Sequence, residues 1–128
     1  NFIAQGADII MPVAGPVGLG AAAAAESAGA KIIWVDSDGT ETTSYGDIVL
    51  TSVLKGLANS VFDTVEEAVN GNFTSDPYIG TLENEGVGIA GYGTFDADVP
   101  QELKDRIEEL RGQIASGELM VESPNAPQ

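Results

Sequence analysis

The chain has 128 residues, with twenty acidic against five basic side chains for a formal charge of −15, and it lacks both cysteine and histidine. That length suits one modest α/β domain with a core and is too short for two lobes enclosing a ligand. The charge argues against direct nucleic-acid binding and against docking on anionic membranes, while the missing residue types remove disulfides, the commonest general base and most transition-metal ligand sets.

Residues 1–6 read as the last turn of a helix with Gly6 as its C-cap, so a further segment is expected upstream, where any targeting sequence would lie. Residues 8–13 are continuously apolar, as expected of a strand buried on both faces of a parallel sheet. A glycine-rich turn at 14–18 leads into the alanine-dominated run 19–28, which predicts a helix stopped at Gly29. Residues 31–35 form a second apolar strand, so the first 36 residues make one βαβ unit with a right-handed crossover. The polar stretch 36–47 reads as a loop leaving the carboxyl end of that strand, followed by a short β run at 48–51. Between 52 and 70, Leu54, Leu57, Val61, Val65, Ala68 and Val69 recur at spacings of three and four, predicting an amphipathic helix with Ser52 as N-cap and Gly71 as stop. Residues 78–82 and 87–92 are expected to pair as a hairpin across the turn 83–86. A last helix is predicted over 100–116, capped by Asp98 and stopped by Gly117, then a short strand at 119–121 and a loosely held tail over 123–128.

Ligands of open parallel sheets bind outside the carboxyl ends of strands, and two consecutive strands deliver Gly15 and Asp36 to that edge. The turn Gly15-Pro16-Val17-Gly18-Leu19-Gly20 lets backbone N–H groups approach a ligand, or serves only as a βα connection. It is not a Walker A loop, since no Lys-Ser/Thr follows, and its spacing departs from the dinucleotide fingerprint. Asp36 offers two acceptor oxygens suited to a sugar diol, with Ser37 and Asp38 extending the polar edge; a turn-forming or capping aspartate is the plainer alternative. A calcium loop at Asp36-Ser37-Asp38-Gly39 is disfavoured, because an EF-hand needs its glycine two residues later and a glutamate at the twelfth position. Lys31 and Lys55 are the only basic residues before position 104, and Lys55 falls in the first turn of the predicted 52–70 helix, where a cation opposes the dipole unless an acidic group or a ligand offsets it.

Four strings in register, Gln5-Gly6-Ala7-Asp8-Ile9-Ile10, Gly15-x-x-Gly18-x-Gly20, Val35-Asp36-Ser37-Asp38 and Thr51-Ser52-Val53-Leu54-Lys55, resemble the second half of the basic-membrane-protein or PnrA-like family. The likeness continues through Gly71-Asn72-Phe73 and Gly86-Val87-Gly88-Ile89 to Gly117-Glu118-Leu119-Met120-Val121. It implies an α/β, parallel-sheet fold of the type I periplasmic-binding-protein kind, two lobes closing on a purine nucleoside, and delivery to an ABC transporter permease. It further implies an extracytoplasmic protein that meets the membrane only through an upstream lipid anchor. On this resemblance Gly15, Asp36 and Lys55 lie at the ribose, with no catalytic residue, metal or cofactor. Residues 1–47 are then the end of the second lobe, 48–97 a crossing segment packing toward the first, and 98–128 a C-terminal helix, strand and tail. Trp34, Pro16 and Gly39 depart from the commonest family pattern. The aromatic residues that select the base in the family lie upstream, so no base preference is expected to be legible here. Two other readings are a cytoplasmic ligand-sensing regulatory domain of the same fold and a nucleotide-dependent enzyme, the second opposed by the absent His, Cys and phosphate-binding lysine.

Overall fold

Alanine at every position of 21–25 makes a helix that can lie close to a sheet, and the helix buries Gly18, Ala22 and Ala25 at spacings of four and three. In the computed structural model, which describes residues 2–123, this helix (α1, Gly18–Ala28) ends at Gly29 in the left-handed conformation, with φ of 69°. It connects β1 (Ile9–Ile10) to β2 (Lys31–Asp36), which pair in parallel, Ile9 with Lys31 and Ile10 with Ile32. The βαβ unit is therefore present. Strand β3 (Val49–Lys55) runs parallel to β2, with an irregularity between Ile32 and Ile33, and β4 (Val87–Ile89) completes the order β1-β2-β3-β4.

The chain divides into two compact units, Asn1–Leu54 with Ile89–Val99, and Lys55–Gly88 with Pro100–Gln128. The first unit holds the core, in which Ala22, Ala25, Ala30 and Ile32 are buried and Ile3, Ile10, Trp34, Tyr45 and Ile48 pack against them. The second contains α3 (Leu57–Val69) and α4 (Gln101–Ala115).

Several sequence expectations need correction. Strand β1 is two residues long and lies at the sheet edge, leaving Ile9 and Met11 half exposed, so 8–13 is not a doubly buried strand. The strand expected at 48–51 continues to Lys55, because its β-prone residues pair with β2 as far as Leu54. Helix α3 therefore starts only after Gly56, and Ser52 is a fully buried strand residue, not an N-cap. Lys55 is the last residue of β3, directly before the N-cap of α3, and not a first-turn helix residue. Gly56 marks the boundary: its N–H donates to the Gly86 carbonyl at 2.9 Å, and a Cβ there would run into the Glu85 carbonyl oxygen.

The 78–92 hairpin does not form. The Asn84 side chain closes a loop instead, accepting from Thr81 and Gly86 N–H at 2.7 and 3.0 Å and donating to the Ile79 carbonyl at 3.0 Å, while β4 lies next to β3 in the sheet. The N-cap of α4 is Pro100, whose extended ψ of 138° precedes the first helical residue, and Asp98 lies outside the helix. Residues 119–121 form no strand, since Leu119 N–H folds back onto the Gln113 carbonyl at 2.9 Å. The opening reads as expected except at Asn1: a 3₁₀ turn, Ile3–Gln5, ends at left-handed Gly6. Asn1 and the tail 124–128 lie outside the described residues.

Candidate functional site

Because β1 and β2 are adjacent and parallel, the segments leaving their carboxyl ends share one edge of the first unit, and these carry Gly15 and Asp36. Gly15 begins a 3₁₀ turn, Gly15–Val17, that runs directly into α1. Its φ is 53° and a Cβ there would meet nothing within 4 Å, so the turn needs glycine for its backbone and its outer side is open. The junction sets the start of an eleven-residue helix at this edge, with Val17 N–H donating to the Ala14 carbonyl at 3.3 Å and Gly18 N–H to the Gly15 carbonyl.

Asp36 is the last residue of β2, half-buried, with its Cα in register with Leu54 of β3. Its φ is 73°, one of two left-handed non-glycine residues among those described. For an L-residue that conformation costs roughly 1–2 kcal/mol, though a short polar side chain softens the cost. The strand thus ends in a left-handed turn at Asp36.

Asp38 has a structural task. Its Oδ1 accepts from Thr40 N–H at 2.9 Å and from the Thr40 hydroxyl at 2.7 Å, capping a one-turn helix, α2 (Gly39–Thr42), within the expected loop. Behind the cap, buried Gly39 donates its N–H to the fully buried Ser52 Oγ at 3.0 Å. Thr51 and Ser52 anchor the next edge, with Thr51 Oγ1 donating to the Ala90 carbonyl and Ala90 N–H donating to the Ser52 carbonyl, both at 2.9 Å. Capping aspartate and buried serine therefore tie the loop that begins at Asp36 to the sheet.

Lys55, exposed, ends β3 and opens the second unit. Of the three residues singled out from sequence, the first unit holds Gly15 and Asp36 at one sheet edge, and Lys55 belongs to the other unit.

Sequence reasoning missed a cavity of about 380 Å³ in the first unit, lined by Thr40, Thr43, Ser44, Gly46, Asp47, Gly93 and Thr94. The hydroxyl-rich run 40–44 is its only trace in sequence, since Gly93 and Thr94 reach it from a distant part of the chain. It also missed that Lys31 Nζ stands 5.2 Å from the centroid of the Phe95 ring, a cation–π contact in the first unit. Among the described residues no cluster of carboxylates has the arrangement of a metal site, and no helix is long and apolar enough to cross a membrane.

Among solved structures, the fold matches a transcriptional activator of the comK gene from Bacillus halodurans at a TM-score of 0.80, with 14% identity over 94% of this chain and 41% of that one. It matches ABC transporter system solute-binding proteins from Aeropyrum pernix K1 at 0.80, with 18% identity over 98% of this chain and 43% of that one. A solute-binding protein from Conexibacter woesei DSM 14684 matches at 0.62, with 20% identity over 94% of this chain and 39% of that one. The chain thus spans less than half the length of these structures, and at such identities the likeness establishes the α/β, type I periplasmic-binding-protein fold alone. A search of curated proteins gave no match. The family model described as "ABC transporter substrate-binding protein PnrA-like" matches residues 1–122, and the chain belongs to that family, Bmp.

Proposed function

We propose that this protein acts as the solute-binding component of an ABC importer, capturing purine nucleosides outside the cytoplasm and passing them to the membrane permease without altering them. The observation that carries this reading is the family match over 1–122, which spans the sheet edge where Gly15 and Asp36 lie. The chemistry agrees with binding and not with turnover. A carboxylate at a strand end accepts from ribose hydroxyls, the open backbone of the Gly15 turn lets a ligand oxygen approach, and Lys55 supplies a donor. No histidine or cysteine is present to act as base or nucleophile. Attachment to the membrane falls to a lipid anchor outside these residues.

A hydrogen bond to a charged group contributes about 1.5–3 kcal/mol, so Asp36→Asn and Lys55→Met in the full-length protein are each expected to weaken binding about ten- to a hundredfold. Asp38→Asn keeps a capping side chain and is expected to lose less. Calorimetric titration with adenosine, guanosine and inosine measures this, and product analysis should return the nucleoside unchanged. Wild-type affinity in both Asp36→Asn and Lys55→Met would sink the site, and base release or phosphorolysis would sink the receptor.

The match to a comK activator favours one other reading, a ligand-sensing regulatory domain in the cytoplasm. The two differ in what precedes the domain, a lipid-anchoring signal or a basic helix-turn-helix, and sequencing the gene upstream distinguishes them.

A further inference from the structure

Trp34, the single tryptophan, stands in β2 two residues before Asp36, and its indole lies against two glycines, Gly18 and Gly39, that open α1 and α2. A Cβ built on Gly39 would fall 2.7 Å from both Cβ and Cγ of Trp34 and 3.0 Å from its Cδ1. A Cβ built on Gly18 would fall 3.5 Å from Cη2 and Cζ3, at the far edge of the same ring. The inner end of the indole thus abuts the loop that begins at Asp36, and its outer end abuts the turn that begins at Gly15. Gly39 and Gly18 each come three residues after those positions. Both glycines are buried, and Gly39 is further tied to Ser52 through its N–H.

The geometry points to Trp34 as the positioning residue of the binding site: its rigid ring fixes the separation of the Gly15 turn and the Asp36 loop, so that a ligand meets both already spaced. This rests on the nucleoside-binding reading above. Trp34 acts through Asp36 and the Gly15 turn and has no direct ligand contact in this role. It also dictates that residue 39 be glycine, since any side chain there collides with the root of the indole and not with a flexible tip.

The test uses the full-length protein titrated calorimetrically with guanosine, adenosine and inosine, together with thermal unfolding of each variant. Gly39→Ala, which forces a Cβ against the indole, is expected to weaken binding about tenfold, and Trp34→Gly by a similar factor. In the double variant Trp34→Gly/Gly39→Ala the second substitution is expected to cost less than about twofold, because the obstructing atoms are gone. Trp34→Phe keeps the root of the ring beside Gly39 but loses the outer atoms Cη2 and Cζ3 beside Gly18, and is expected to weaken binding by a factor between those of wild type and Trp34→Gly. Ile32→Val, which loosens the same core without touching either loop, is the control and should leave affinity unchanged while lowering the unfolding temperature.

Simple additivity of the two losses, or an Ile32→Val loss of affinity matching that of Trp34→Gly, overturns the positioning role. Should Trp34→Gly not fold, wild-type affinity in Gly39→Ala overturns it alone. Wild-type protein binding none of the three nucleosides defeats the functional reading, and this inference with it; binding that depends on Asp36 but not on Trp34 or Gly39 defeats this inference only.

Discussion

Ala22, Ala25, Ile32, Val49 and Ser52 of the first unit are fully withdrawn from solvent, whereas Leu57, Val61 and Val65 along α3 of the second keep 65, 64 and 55% of their surface. Both regions are written in the same apolar alphabet. The first alternates a small-residue helix with strands of a sheet, so the apolar side chains between helix and sheet are covered, although others such as Val13 and Val17 stay exposed. The second carries a helix whose apolar positions recur at regular spacing and stay more than half exposed. Periodicity therefore reports which side of a helix is apolar, and says nothing about whether that side is covered.

The sharpest way to test this contrast is to truncate one β-branched aliphatic side chain to alanine in each unit. Ile32→Ala opens a cavity in the packed core and is expected to cost about 2–5 kcal/mol in denaturant unfolding, while Val61→Ala should stay within about 0.5 kcal/mol. Equal losses would abolish the distinction. Ser52→Ala comes next: it leaves the buried Gly39 N–H without its acceptor and is expected to cost about 1–3 kcal/mol by the same measurement. A third test addresses the exposed face directly. The 128-residue chain is expected to self-associate in sedimentation through α3, and Val61→Glu/Val65→Glu to reduce this with little change in unfolding. A compact monomer before substitution would show that exposure on this helix has no consequence.

The smallest effect lies in the second unit. The Tyr78 phenol is pushed above its usual pKa by desolvation, by the hydrogen bond it donates to Asp63 Oδ2 at 3.1 Å, and by the charge of that carboxylate. Spectrophotometric titration should find one phenol ionising above the ordinary range. In Asp63→Asn it should shift downward, since the charge that opposes a phenolate is gone. An unchanged titration curve would show that the contact is too loose to matter.

The elements legible in sequence are those whose signals are local. Gly29 stops α1, alanines build it, and the apolar run after it makes β2, so the edge bearing Gly15 and Asp36 follows from the βαβ pattern. At 52–56 the signals conflict. Leu54, Leu57 and Val61 continue a helical spacing through what is half strand, and β3 persists because pairing with β2 outweighs that spacing. Gly56 was the readable clue, a residue poor in either element placed between the two. The Asp38 cap is equally visible in hindsight, as an aspartate two residues before Thr40. The left-handed backbone of Asp36, the contact of Trp34 with two glycines and the Thr40–Thr94 cavity depend on tertiary approach, and no spacing along the chain encodes them.

The backbone at Asp36 has a consequence for how the gene changes over time. A single base change turns an aspartate codon into a glycine codon, and glycine occupies a φ of 73° without the cost borne by an L-residue. Under selection for a sturdier fold alone, mutation at this codon runs downhill toward glycine. On the proposed function, selection for solute capture through Asp36 opposes that drift. In a mutagenised library passed first through a heat challenge and then through growth on nucleoside, codon 36 should therefore shift toward glycine in the first step and return to aspartate in the second, which makes it a gauge of whether stability or capture is being selected.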